Sequence, residues 1–371
     1  MRICILTQPL ERNYGGILQA YALQKALRDM GHEVTTLRFM PVYAQTSSKL
    51  ELYWITFLRF LLKLKGNPNI NKYNPEKEWD FFRQFNSKLE AFICENIRCL
   101  DVKTPLKYDA LPRFDAFIVG SDQIWRPCLS PCLPHFYLDF LGEAHVRRIS
   151  YAASFGSDIW EAPEEMTNNL STLAARFDRI SIREHSGVEL CRKHLGVEAE
   201  LMPDPTVLLT RDDYMALCEK PSEPELDQPY IAVYLIDSQD DQNKLIVKFA
   251  KEHQLPIVRI GNFNWEKGSD PMESWISGIT RARYVITDSF HGTVFSLLFG
   301  KDFITFNNGW RGADRFHTLL GYFGLSDRLI RADKITEIVI PPLDQEAVSR
   351  QLALLRQSGI SFLTEVTATK E

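Results

Sequence analysis

Residues 287–293, Thr-Asp-Ser-Phe-His-Gly-Thr, place an imidazole, a carboxylate and three hydroxyls at one change of direction. There a short apolar strand, Arg283 to Ile286, gives way to Val294, Leu297 and Leu298 at helical spacing. Asp288 and Ser289 are suited to capping such a helix, which accounts for the hydroxyls and leaves His291 unexplained. An imidazole in a first turn meets the positive end of the helix dipole, where imidazolium is disfavoured. Gly292 and Thr293 complete the turn. Arg183 offers different chemistry. It closes the apolar strand Arg179–Ile182, directly before Glu184 and His185. It is either half of an Arg–Glu surface pair or, if aimed into a cleft, a planar fork for a carboxylate or phosphate. At 119–127, VGSDQIWRP, Ser121 and Asp122 stand at a strand terminus with Trp125 and Arg126 behind them. They read as an N-cap or, taken with the Trp-Arg pair, as a sugar or anion site. Finally, Asn13-Tyr14-Gly15-Gly16 follows the opening strand, where glycines let backbone N–H groups approach an anion at a helix start. That loop matches neither GxGxxG nor GxxxxGK[ST]. Lys301, Arg311 and Arg315 add cations near the Asn307-Asn308-Gly309 loop.

The elements that must carry these loops alternate strand and helix almost throughout. Ile3–Leu6 opens as a buried strand. A helix from about Gly16 carries Ala20, Leu23, Leu27 and Met30 on one face and stops at Gly31, and Glu33–Phe39 is the next strand. An insertion then brings two helices, near 50–64 and 76–98, before the strands 115–120, 149–153 and 179–182, a helix at 185–195 and a strand near 198–202. MPDPTVLL, 202–209, has the prolines of a domain exit, and 219–229 is polar and proline-rich. A second series follows: strand 230–236, helix to His253, strand 256–260, helix 272–282, strand 284–287, the helix after His291, strand 303–307. The expectation is an α/β protein of two doubly wound, Rossmann-like domains facing across a cleft. Residues 1–207 form the N-terminal domain with a helical insertion near 45–100, 208–340 the C-terminal domain, and 341–371 a C-terminal helix and tail.

Composition narrows the function. With 45% hydrophobic and 25% charged residues the 371-residue chain is ordinary globular material. A net charge of −5 without Lys/Arg blocks argues against nucleic-acid binding by phosphate neutralisation. Seven scattered cysteines without a CxxC pair, and a first apolar run too short for a signal peptide, point to a reduced, cytoplasmic protein. No DxD or HExxH occurs and the eight histidines are dispersed, so neither a metal nor a cofactor is expected. Segment 50–66, LELYWITFLRFLLKLKG, is too charged to span a membrane. It reads as a helix packed on its own domain or a dimer contact, or else as an interfacial helix with basic residues near lipid headgroups.

Five segments in order, NYGGILQAYALQKALRDMGHEV, FDAFIVGSDQIWRP, ISYAASFG, ISIREHSGVELCRKHLG and VITDSFHGTVFSLLFGKDFITF, resemble the polysaccharide pyruvyl transferase family, from near residue 13 to about 325. The resemblance implies a GT-B-like architecture and transfer of a pyruvyl group from phosphoenolpyruvate to a sugar as a cyclic ketal. By that match His291 is the general acid and Arg183 clamps the donor's phosphate or carboxylate. Asp288, Ser289, Gly292 and Thr293 shape the pocket, while Ser121, Asp122 and the Asn13–Gly16 loop (Gly15 within it) face it from the acceptor side. Arg126, Arg311 and Arg315 suit the donor's charge on chemical grounds. The expected acceptor is a sugar of a surface polysaccharide or its lipid-linked precursor at the inner membrane face, which would give 50–66 a reason to be amphipathic. A nucleotide-sugar glycosyltransferase on the same architecture is the alternative, and a non-catalytic scaffold of a polysaccharide assembly system is a third reading.

Overall fold

A computed structural model describes residues 1–11, 13–39, 86–130, 132–218, 228–264, 268–307 and 312–368. The expected helix near 50–64, the 50–66 segment, residues 76–85 of the helix expected at 76–98, and Arg311 lie outside the described residues.

Buried β-branched and aliphatic runs form two parallel sheets. The first contains β1 (Arg2–Leu6), β2 (Glu33–Phe39), β3 (Cys99–Val102), β4 (Ala116–Val119), β5 (Arg147–Ala153), β6 (Arg179–Ile182) and β7 (Glu200–Leu201), in the spatial order β3-β2-β1-β4-β5-β6-β7. The second contains β8 (Ile231–Tyr234), β9 (Ile257–Arg259), β12 (Tyr284–Thr287), β13 (Asp302–Phe306) and β14 (Leu329–Ile330), in the order β14-β13-β12-β8-β9. A small antiparallel pair, β10 (Phe263–Asn264) and β11 (Gly268–Ser269), stands apart. Every ladder within the two sheets is parallel. This is a pair of doubly wound, Rossmann-like domains. In each, the strand order reverses beside the opening strand: between β1 and β4 in the first sheet, between β8 and β12 in the second. Ligands in such sheets collect beyond the carboxyl ends at that reversal. The loops leaving β1, β4 and β12 are three of the four singled out by residue type.

Helix α1 (Tyr14–Asp29) shows why the domains sit close. One face, with Leu23, Ala26 and Leu27, packs on Ile3, Ile5 and Ile118 of the first sheet. The other, with Tyr14, Ile17, Leu18 and Tyr21, joins a cluster containing Trp275 and Val294 of the second domain. A helix apolar all round is a buried one. The expectation of a single apolar face on this helix is therefore too narrow. The remaining long helices are α2 (Ser87–Asn96), α3 (Glu164–Ala174), α6 (Asp240–His253), α7 (Met272–Thr280), α8 (Phe290–Leu298), α9 (Asp314–Gly321) and α10 (Gln345–Thr367), with the shorter α4 (His185–Leu190) and α5 (Arg211–Met215) between them. Helix α10 begins on the second domain with Val348, Leu352 and Leu355 and ends on the first with Phe362, Leu363 and Val366. The seven cysteines are free thiols.

Candidate active site

Strand β12 ends at Thr287, whose hydroxyl donates to the carbonyl of Tyr234 on β8 (2.7 Å). Ser289 is the N-cap of α8 and its hydroxyl accepts from the Gly292 N–H (3.3 Å). Asp288 does not share that task. Its carboxylate accepts from the N–H groups of Ile236 (2.6 Å) and Asp237 (2.9 Å), fastening the loop after β8. Thr293 points back at its own sheet, donating to the Ser289 carbonyl (3.0 Å) and sharing a hydrogen bond with Thr305 (2.8 Å). These groups hold the start of α8 in place, and His291, with the Phe290 ring beside it, faces the other domain.

That domain supplies an arginine–carboxylate network. Arg183, at the end of β6, donates from Nη1 to Asp204 Oδ2 (2.6 Å) and from Nη2 to Asp122 Oδ1 (3.2 Å). Asp204 is turned by its neighbour, accepting at Oδ1 from the Thr206 N–H (3.0 Å) and hydroxyl (2.6 Å). His291 Nε2 lies 3.5 Å from Asp204 Oδ2, across the domain boundary. Asp122, with φ of +64° in the left-handed region that few side chains adopt, also accepts from Asn13 Nδ2 (3.2 Å). Asn13 in turn caps α1 by accepting from the Gly16 N–H (3.0 Å). Gly15 lies directly against the imidazole: a Cβ there would come within 2.1 Å of His291 Cγ and Nδ1. The guanidinium of Arg183 sits 4.4 Å from the Phe290 ring centre, and that of Arg315 5.6 Å from the same ring. Arg183, Asp122, Asp204, His291 and Arg315 are all buried.

The electrostatics follow from that crowding. Burial by itself pushes Asp204 up, but His291, Arg183 and the Thr206 hydrogen bond outweigh it and hold the carboxyl well below the usual range. For Asp122, burial is likewise overcome by Arg183, His291 and Arg315, and its carboxyl lies below normal. Glu184 behaves oppositely. It is fully buried and accepts from the Phe155 (2.7 Å) and Gly156 (3.2 Å) N–H groups, and burial raises it despite Arg183 and these hydrogen bonds. The site therefore contains ionised carboxylates neutralised by guanidinium, with an imidazole at their edge.

The structure thus brings together Asn13, Gly15, Gly16, Asp122, Arg183, Ser289, His291 and Arg315. Ser121 stands beside them, its hydroxyl donating to the Ala152 carbonyl and its N–H to Gln19 Oε1. No helix begins at Ser121 or Asp122, and the 3₁₀ turn that follows at Pro127–Leu129 has Arg126 at its N-cap position, so the N-cap reading of that loop fails. The surface-pair reading of Arg183 and Glu184 fails too, since both are buried. Arg126 binds Glu161 (2.9 Å) and Gln123 (3.1 Å) rather than the His291 cluster. Trp125 is a core residue stacked on Tyr137 at 4.7 Å. Asp204 is the residue the sequence reading overlooked. Its flanking prolines looked like a domain exit; the missed signal was an acidic residue just past a strand end with a threonine two positions on.

Two Rossmann-like domains meeting at a buried polar cluster beyond their strand ends form a GT-B-like architecture. The family model described as polysaccharide pyruvyl transferase matches residues 13–309, most of the chain. The chain belongs to that family of enzymes. No curated protein matches it. Among solved structures it resembles the UDP-GlcNAc 2-epimerase from Neisseria meningitidis bound to UDP-GlcNAc, at 9% identity over 100% of this chain and 95% of that one, with a TM-score of 0.47. It also resembles the E. coli heptosyltransferase WaaC with ADP, at 14% identity over 99% and 100%, with a TM-score of 0.39. Among the described residues no helix is long and apolar enough to cross a membrane.

Proposed function

We propose that this transferase takes its pyruvyl group from phosphoenolpyruvate and sets it across two hydroxyls of one sugar as a cyclic ketal, releasing phosphate. The observation that supports the reading best is the convergence of His291, at a helix start of one domain, on the Arg183–Asp204–Asp122 network of the other. The donor carries a carboxylate and a phosphate, which cationic side chains and a helix N-terminus suit.

In the reaction a proton adds to the methylene carbon and the first sugar hydroxyl attacks the neighbouring carbon. The second hydroxyl closes the ring as the carbon–oxygen bond to phosphate breaks. Of the two hydroxyl protons, one balances that gained by carbon and the other leaves with phosphate. His291 is the proton donor. Arg183 supplies charge toward the donor, with Arg315 beside it. Asn13, Gly15, Gly16, Ser121 and Asp122 border the acceptor. No cofactor enters: phosphoenolpyruvate is the donor substrate. The acceptor is a sugar of a surface polysaccharide or its lipid-linked precursor.

Phosphate release from phosphoenolpyruvate should require a saccharide acceptor. Saturable binding of a nucleotide-sugar with no response to phosphoenolpyruvate would overturn the reading. His291→Gln should fold and bind phosphoenolpyruvate in calorimetry while losing roughly 10²- to 10⁴-fold in turnover. A normal rate in that variant removes His291 from the mechanism.

A further inference from the structure

We infer that Asp204 is a positioning residue that holds the Nε2 proton of His291 and so leaves Nδ1 as the atom through which the reaction's proton passes. The inference rests on the reading that His291 is the proton donor. The two ring nitrogens have different surroundings. Nε2 is buried and makes no hydrogen bond among the described residues, and its ion-pair contact is Asp204 Oδ2 at 3.5 Å. This length is at the outer edge of a hydrogen bond, and such contacts in empty sites tighten when substrate closes them. Nδ1 has no hydrogen-bond partner among the described residues, and the Gly15 backbone packs closely against that edge of the ring, where any side chain would collide with it.

Asp204 is well built for the task. Its Oδ1 is held by both donors of Thr206 and its Oδ2 by Arg183, so the carboxylate cannot rotate away without breaking three hydrogen bonds. The charged groups around the ring are Asp204 itself, Asp122, Arg183 and Arg315, the last two beside Phe290. Of these, Asp204 alone forms an ion-pair contact with the imidazole among the described residues. The hydrogen bond made at one ring nitrogen decides which nitrogen carries the proton of the neutral ring. With Nε2–H kept on Asp204, the proton given to the methylene carbon leaves Nδ1. The electron pair of the carbon–carbon double bond forms the new C–H bond, and the ring remains as the neutral Nε2–H tautomer. The donor is also completed across the cleft, because His291 and Asp204 belong to different domains.

Two measurements decide the matter. In ¹⁵N-histidine-labelled protein, with the His291 signals assigned by their loss in His291→Gln, the neutral ring at alkaline pH should be the Nε2–H tautomer. Asp204→Asn should erode that preference, because its amide can donate to Nε2. Asp122→Asn, which also takes a carboxylate from Arg183, should leave the tautomer as it is. An Nδ1–H tautomer in the unsubstituted protein overturns the inference, even if Asp204→Asn does not fold. In turnover, Asp204→Asn should lower kcat by roughly 10²- to 10⁴-fold, the range in which a misplaced or lost imidazole proton is felt, with a much smaller change in KM for phosphoenolpyruvate. A change in KM alone would make Asp204 a donor-binding support and overturn its role on His291. Should the unsubstituted protein show no phosphate release, the donor assignment falls, while the tautomer measurement still decides what Asp204 does.

Discussion

At the scale of single residues, Arg183 has a role that its place in the sequence does not disclose. Both terminal nitrogens are committed to buried carboxylates, so it holds the site together as well as contributing charge. Replacing it with Met leaves Asp122 and Asp204 buried without their cation. Breaking a buried pair from one side costs about 3–5 kcal/mol, and urea denaturation of Arg183→Met at neutral pH should show a loss of that order. An unchanged midpoint would mean the carboxylates are not neutralised by Arg183. The pH dependence has a definite sign. Asp122 and Asp204 lie below their unfolded-state values in the folded protein. The stability they contribute is therefore present above about pH 4 and lost as pH falls through the folded values. Glu184, raised by burial, works in the opposite sense: it favours the folded state while protonated and loses that contribution as pH rises through the carboxylate range. The Arg183→Met deficit should thus shrink toward acid, where the carboxylates no longer need a partner. His291 and Arg183 were legible because an imidazole and a guanidinium at strand ends stand out by type. Asp204 was not, since an acidic residue between prolines looks like any loop, and only tertiary contact reveals its partners.

At the scale of elements, the close approach of α1 to α8 decides the geometry around the imidazole. Gly15 sits where any side chain would collide with the His291 ring. In Gly15→Ala the methyl group cannot be accommodated by a flexible neighbour, because His291 is itself buried and its Nε2 faces Asp204. Overpacking of this kind costs about 1–3 kcal/mol. Here it should also hold the two helix starts apart, so turnover should fall more than thermal stability does. Full activity in Gly15→Ala would show that α1 and α8 need not touch during the reaction. The sequence disclosed the glycine pair as a close approach but could not say to what. A glycine records that something lies near, and only the docking of two elements far apart in the chain supplies the neighbour. The strands were easier: Tyr284–Thr287, Arg179–Ile182 and Glu33–Phe39 fall where their apolar β-branched runs place them. The strand Cys99–Val102 was missed, for its alternation is broken by Asp101 at the edge of the sheet.

At the scale of the molecule, the two domains are tied by more than the cleft. Tyr14 of α1 stacks on Trp275 of α7 at 5.8 Å and donates to the Asp270 carbonyl (2.8 Å). The Ser186 and His185 N–H groups at the start of α4 donate to Asp314 and Thr318 of α9. Helix α10 adds the longest tie, with Phe362 against Tyr151 of β5 at 5.9 Å, the Val366 carbonyl accepting from Arg147 (2.8 Å), and Arg356 donating to the Leu209 carbonyl (2.9 Å). One helix thus belongs to both hydrophobic cores, which makes the separate unfolding of either domain costly to the other. Gly359 lies at the crossing, where a Cβ would come 2.4 Å from the Tyr151 hydroxyl and 2.5 Å from Leu208 Cδ2. Gly359→Val should lift the C-terminal half of α10 from the first domain while leaving Val348, Leu352 and Leu355 docked on the second. Overpacking alone predicts a loss of about 1–3 kcal/mol. The shared helix predicts more: calorimetry should resolve two unfolding transitions in the variant where the unsubstituted protein shows one. A single transition, merely shifted to lower temperature, would mean that the contacts of α1 and α4 already couple the domains without α10.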